Sequence, residues 1–209
     1  MAAVVDLLAQ HRIVPVVVVD SADQGLFVAD ALAAGGLPVA EVTFRTPAAA
    51  VAIRAIAARG DMIVGAGTVV DANQVDVAVD AGARFLVSPG FLPSVASRAA
   101  SHGVPLIAGA VTASEIMAAR ESGLRTVKFF PAETSGGLAA LRALAAPFGD
   151  VAFVPTGGVN ASNLTEYLSH PQVVAVGGSW MLPAAAVADR DARTVARLTS
   201  DAVALAATA

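Results

Sequence analysis

Eight short runs of apolar, largely β-branched residues recur along the chain, and each is followed by a stretch of helical, mostly alanine-rich character. The runs are IVPVVVV from Ile13, VAEVTF from Val39, MIVGAG from Met62, RFLVS from Arg84, PLIAGA from Pro105, TVKFF from Thr126, VAFVPT from Val151 and VVAVGG from Val173. Alternation of this kind predicts a parallel sheet whose strands are joined by crossover helices. Eight such units in 209 residues stand at the lower size limit of an α/β fold of one kind, a single (β/α)8 TIM barrel, here with an extra N-terminal helix. A doubly wound open sheet built from the same elements is the structural alternative. No low-complexity linker or break in composition divides the chain, so residues 1–209 are expected to form one domain.

Helix-start chemistry supports these boundaries. Helices are expected after Ser21, after Thr46-Pro47, after Asp71, at Leu92-Pro93, after Thr112, near 137–146, after Asn160 and over the C-terminus. Thr46 followed by Pro47 offers a capping hydroxyl and a proline at the first helical position. Thr112 with Glu115 three residues on reads as a capping box. Gly35-Gly36, Gly60 and Gly82 read as glycine stops at helix ends. The turns after Val64 (GAGTVVDAN) and after Val154 (PTGGVNASN) echo one another, as a half-barrel repeat would, although turns of similar chemistry also arise by coincidence.

Composition removes several functions. The chain has no cysteine, which excludes disulfides, thiolate catalysis and cysteine-ligated metals. Its net charge is −4 and no basic block occurs, which argues against a nucleic-acid partner. No apolar run approaches the roughly 18 residues of a membrane span. The first residues, MAAVVDLLAQHR, carry Asp6 inside their apolar stretch and read as a helix rather than a signal peptide. A cytoplasmic protein is expected. His11, His102 and His170 fall at helix ends or in loops with no carboxylate at ligand spacing, so no metal is expected.

The chemistry concentrates at strand ends. Lys128 is the only lysine in the chain, and it stands between Val127 and Phe129 in a strand that reads as buried. Lysine is almost never fully buried without a partner. Alternation along the sixth strand puts Thr126, Lys128 and Phe130 on one face. The same alternation along AEVTFRTP puts Glu41, Thr43 and Arg45 on one face and Val42 and Phe44 on the other. In a barrel the apolar side packs on helices, so both polar sets point inward near the carboxyl ends, where barrel active sites sit. A neutral lysine amine there can attack a ketone and form a Schiff base. Glu41 can move protons, and Arg45 can hold a carboxylate with its planar fork. The plainer alternatives are structural ion pairs, Glu41 with Arg45 or Glu41 with Lys128.

The turns after the seventh and eighth strands, PTGGVNASN and GGSW, are glycine-rich. Such turns let backbone N–H groups approach an anion, and these two strand ends are the habitual phosphate site of the fold. Thr156 and Ser179 add hydroxyls. Thr68, at the end of the third strand, can donate to a carboxylate near Arg45, or simply belong to the turn before a helix. Pro89-Gly90 shapes the pocket or is a plain turn, and Trp180 is expected to pack in the core or at an interface.

Taken together, EVTFRTP, GAGTV, FLVSPGF, KFFPAE, PTGGV and GGSW resemble the 2-keto-3-deoxy-6-phosphogluconate (KDPG) and 4-hydroxy-2-oxoglutarate (KHG) aldolase family, collinearly from about Val14 to Trp180. The resemblance implies a class I aldolase that needs no metal or other cofactor, takes a phosphorylated keto-deoxy sugar acid and pyruvate, and forms a homotrimer. It implies Lys128 as the Schiff-base lysine and Glu41 as the proton acceptor. It further implies Arg45 and Thr68 on the pyruvate carboxylate with Phe130 beside it. Gly157, Gly158, Gly178 and Ser179 would bind the distal phosphate, with Thr156 helping to choose the substrate. Rival readings keep the barrel: a phosphogalactonate aldolase, an aldolase using glyoxylate, a phosphosugar isomerase with Glu41 as base, or a phosphosugar-binding module.

Overall fold

A computed structural model describes residues 2–209, with side chains from Val5 onward. All eight expected strands form: β1 Ile13–Val17, β2 Val39–Thr43, β3 Ile63–Gly67, β4 Leu86–Val87, β5 Leu106–Gly109, β6 Thr126–Phe129, β7 Ala152–Pro155 and β8 Val176–Gly178. Neighbours pair in parallel in the order β7-β6-β5-β4-β3-β2-β1-β8. Bridges Phe153↔Val173 and Thr156↔Gly177 join β7 to the β8 segment, so the sheet closes on itself as a (β/α)8 barrel and the open-sheet alternative falls. Only Leu86–Val87 counts as regular strand in the fourth run. Ladder hydrogen bonds nevertheless extend over the whole of it, from Arg84 N–H on the Val64 carbonyl to Ser88 N–H on the Ile107 carbonyl.

The helices are α1 Ala2–His11, α2 Ala22–Ala34, α3 Ala49–Ala57, α4 Ala72–Asp80, α5 Pro93–Ser101, α6 Ala113–Glu121, α7 Gly137–Ala145, α8 Leu164–Leu168, α9 Ala184–Ala188 and α10 Ala192–Ala206. Four starts have the expected chemistry. Ser21 and Asp71 accept the N–H of Gln24 and Gln74, Pro93 opens α5, and Thr112 with Glu115 forms a complete capping box. Gly36, Gly60 and Gly82 have φ of 85°, 76° and 94°, the left-handed geometry that ends α2, α3 and α4.

Two starts differ. Thr46 does not cap α3, whose N-cap is Ala48. Its hydroxyl donates instead to the Val19 carbonyl, because tying the β2 loop to the β1 loop competes for the same group. The helix after β7, α8, begins at Leu164 rather than directly after Asn160. There Asn160 accepts the N–H and hydroxyl of Ser162 and forms a side-chain turn first.

The barrel wall is the core. Val42, Val64, Ala66, Val127, Phe129 and Phe153 are completely buried between sheet and helices. Inside the barrel, Gly65 leaves room for the Phe85 ring, which a Cβ at that position would overlap. No helix among the described residues is long and apolar enough to cross a membrane.

Candidate active site

Glu41 is 2% exposed and Lys128 6% exposed, and the lysine Nζ lies 3.2 Å from Glu41 Oε1 across the barrel interior. The two residues are 87 positions apart in sequence. Strand alternation delivers both to the same face, and the register Glu41↔Gly65 and Lys128↔Gly109 flanks each with a glycine. Gly67, the next inward position on β3, is tighter still: a Cβ there would overlap the Glu41 carboxylate. The missing side chain of Gly67 is therefore what makes space for the buried Glu41 carboxylate, whereas Gly109 leaves room for the Pro89 carbonyl. Thr43, also inward and buried, donates its hydroxyl to the Val17 carbonyl at 3.0 Å.

Above this pair, at the carboxyl end of the strands, opens a cavity of about 430 Å³. Arg45, Phe130, Thr156, Gly157, Gly158, Gly178 and Ser179 all line it. Phe130 links this lining to the lysine, with Lys128 Nζ 5.0 Å from the ring centroid. Lys128 and Glu41 themselves are buried and do not belong to this lining.

The glycine turn presents free donors. Gly157 and Gly158 have φ of 95° and 85°. Neither of their N–H groups meets a protein acceptor among the described residues, whereas the Gly158 carbonyl takes Asn160 Nδ2 at 3.0 Å and Asn163 Nδ2 at 3.2 Å. Carbonyls face the protein and donors remain for a ligand, which is the arrangement an oxyanion requires. Thr156 closes the barrel against Gly177, where its side chain occupies the space a Cβ would fill.

Thr68 stands apart from the cavity lining. It directly follows Gly67 and has a φ of 58°. For a β-branched residue this is an outlier, and strained backbone of this kind gathers at functional sites.

Four residues line the cavity that sequence reasoning did not place there: Val16, Val159, Asn160 and Trp180. Trp180 packs its ring over Gly178, so the expected packing role and a place at the site coincide. Asn160 was visible in sequence only as a helix-start residue. A wider depression of about 630 Å³ lies along α6, bounded by Met117, Arg120, Glu121 and Arg125. It is open surface, and among the described residues no buried ionisable group lines it. Among the described residues no three His, Asp or Glu side chains gather as a metal site would require.

Comparison with known proteins adds to this geometry. Residues 4–198 match the family described as KDPG and KHG aldolase. The chain is 47% identical over 199 residues to the 2-dehydro-3-deoxy-phosphogluconate aldolase of Treponema pallidum, covering 95% of each. Among solved structures it superposes with a TM-score of 0.91 and 38% identity on the 2-keto-3-deoxy-6-phosphogluconate aldolase of Zymomonas mobilis ZM4 with 3-phosphoglycerate, covering 96% of this chain and 95% of that one. The same TM-score and identity relate it to the KDPG aldolase of Legionella pneumophila with pyruvate captured as a covalent carbinolamine, covering 94% of this chain and 96% of that one. By sequence over nearly its whole length and by the closed barrel it shares with these enzymes, this chain belongs to the KDPG and KHG aldolase family.

Proposed function

We propose that this protein is a class I aldolase that reversibly cleaves 2-dehydro-3-deoxy-6-phosphogluconate to pyruvate and glyceraldehyde 3-phosphate. Cleavage of 4-hydroxy-2-oxoglutarate to pyruvate and glyoxylate would use the same site. The observation that carries this reading is the buried Lys128–Glu41 contact of 3.2 Å beneath a polar cavity. Schiff-base formation needs a neutral amine. A carboxylate in contact with the amine can take its proton and return it, with no exchange through bulk water.

The steps follow from that pair. Nζ of Lys128 adds to the C2 ketone, giving a carbinolamine that loses water to form a protonated imine. Glu41, through a water molecule, accepts the proton of the C4 hydroxyl. The C3–C4 bond breaks, the aldehyde departs, and the bonding electrons flow to the imine nitrogen as an enamine. The enamine is protonated at C3, and water hydrolyses the imine to release pyruvate and the free lysine. Arg45 holds the pyruvate carboxylate with the hydroxyl of Thr68, and Phe130 packs beside the reacting carbons. Gly157, Gly158, Gly178 and Ser179 bind the distal phosphoryl group, and Thr156 bears on the choice of substrate. The carbinolamine reported for the Legionella relative supports the covalent step.

The proposal extends to the whole chain as one domain, acting as a homotrimer in the cytoplasm. The test is borohydride reduction in the presence of pyruvate, followed by intact-mass measurement and peptide mapping. One pyruvyl adduct per chain, on the peptide containing Lys128 and absent in Lys128→Ala, is the expected result. A folded protein that traps no pyruvate would leave Lys128 as a structural ion-pair partner in a phosphosugar isomerase or binding barrel.

A further inference from the structure

Glu133 lies outside the cavity lining, on the loop that leaves β6, yet it contacts both the glycine turn and the helix that follows it. Its N–H donates to the Gly157 carbonyl at 3.0 Å, and the preceding Ala132 N–H donates to the Thr156 carbonyl at 2.7 Å. Its side-chain stem lies flat over Gly158. A Cβ on that glycine would sit 2.7 Å from the Glu133 Cβ and closer still to its Cγ. Its Oε1 accepts the hydroxyl of Tyr167 at 2.5 Å. Tyr167 belongs to α8, the helix into which the turn leads, and is 1% exposed.

A tyrosine buried to this degree needs a partner for its hydroxyl. The partner here is a carboxylate on an otherwise exposed side chain, so the contact fixes Glu133 rather than Tyr167. A phenol is protonated at neutral pH in any case, and burial, with the Glu133 contact adding to it, holds that of Tyr167 above its ordinary range. The turn is thereby gripped from both ends. Strand β6, which carries Lys128 and Phe130, holds it through Ala132 and Glu133, and α8 holds it through Tyr167. With the two asparagines on the Gly158 carbonyl, this grip fixes the turn while the Gly157 and Gly158 N–H groups, on residues that line the cavity, meet no acceptor among the described residues.

We propose that Glu133, locked by Tyr167, is a positioning residue that sets the glycine turn at the distance from Lys128 required by the distal phosphoryl group. It thereby governs preference for phosphorylated over unphosphorylated substrates. This inference rests on the aldolase reading above. It makes Glu133 a determinant of binding and not of bond cleavage, since it touches neither the reacting carbons nor the cavity.

The experiment is steady-state kinetics of Tyr167→Phe, Glu133→Ala and Glu133→Gln with 2-dehydro-3-deoxy-6-phosphogluconate and with 4-hydroxy-2-oxoglutarate. It is run below the melting temperature of each variant, beside pyruvate trapping by borohydride. Loss of a hydrogen bond to a charged group should raise KM for the phosphorylated substrate about tenfold in Tyr167→Phe and at least as much in Glu133→Ala. kcat should stay within about twofold, and KM for the unphosphorylated substrate and the trapping yield should be unchanged. Inhibition by inorganic phosphate should weaken in parallel. Glu133→Gln keeps the stem and an acceptor oxygen and should restore near-normal KM. The double variant Tyr167→Phe/Glu133→Ala should be no worse than Glu133→Ala alone, since the two residues act as one unit. Equal losses on both substrates, or an unchanged KM for the phosphorylated one while trapping is intact, overturns the inference alone. Failure of the wild-type protein to trap pyruvate overturns the aldolase reading and this inference with it.

Discussion

A methyl group on Gly67 would overlap the Glu41 carboxylate, which makes this glycine a direct probe of the buried pair. Gly67 has no positive φ, so alanine there is free of backbone strain and acts only through the overlap. Gly67→Ala should displace the carboxylate and cost about 1–3 kcal/mol of stability by overpacking. Activity should fall far more than that loss of stability explains, which kcat measured on the folded fraction checks. Glu41→Gln isolates the proton transfer. The fold should survive, and kcat should drop by about 10²–10⁴, the usual contribution of a general base. The inward placement of Glu41 and Lys128 was legible from strand alternation alone. The glycine that accommodates Glu41 was not, because it comes from another strand.

At the scale of elements, the α6 capping box is the cleanest case of local sequence deciding local structure. Thr112→Ala removes the side-chain acceptor for the Glu115 N–H and should cost about 1 kcal/mol. That corresponds to a fall in Tm of about 2–4 °C for a chain of this size. The Glu115 carboxyl is held below its ordinary range, first by the Val111 N–H and then by the hydroxyl and N–H of Thr112. A carboxylate favoured in the folded state contributes stability above the unfolded pKa, and loses it as pH falls through the lower folded value. Glu115→Gln should therefore be less stable than wild type near neutrality. The two should converge once the pH drops below the carboxylate range, as thermal melts across pH would show. Thr46 and Asn160 mark where such local rules stop. Each carries capping chemistry, but a carbonyl from another loop or a tighter side-chain turn takes the group first.

For the molecule as a whole, closure is the decisive event, and Arg12 extends it to the C-terminus. Its guanidinium donates to the Leu168 carbonyl at 3.1 Å, the Ala206 carbonyl at 3.0 Å and the Ala209 carbonyl at 2.7 Å. Its own carbonyl accepts the Val176 N–H. One residue thus ties β8, α8 and α10 to the start of β1. Arg12→Ala should lower stability by about 2 kcal/mol, on the scale of hydrogen bonds to a charged group. Tm should fall by about 4–8 °C with catalytic constants unchanged, since the latch is remote from the cavity. Light scattering checks the proposed trimer: a mass three times the 20.8 kDa of one chain is the expected result.

The sequence alone determined the eight strands and their alternation with helices, the parallel sheet, and which side chains on β2 and β6 face inward, though not that the C-terminal helical stretch divides into α9 and α10. These depend on periodicity and on residues within a few positions of one another. The six motifs shared with the aldolase family also pointed to Lys128 before any coordinates did. Tertiary structure decided the rest. Barrel closure brought Glu41 to 3.2 Å from a lysine 87 residues away, and it placed the glycine turn over the mouth. It also set Glu133 against Tyr167, 34 residues further along. Contacts of this range follow from which strand ends meet when the sheet closes, and no local pattern encodes that meeting.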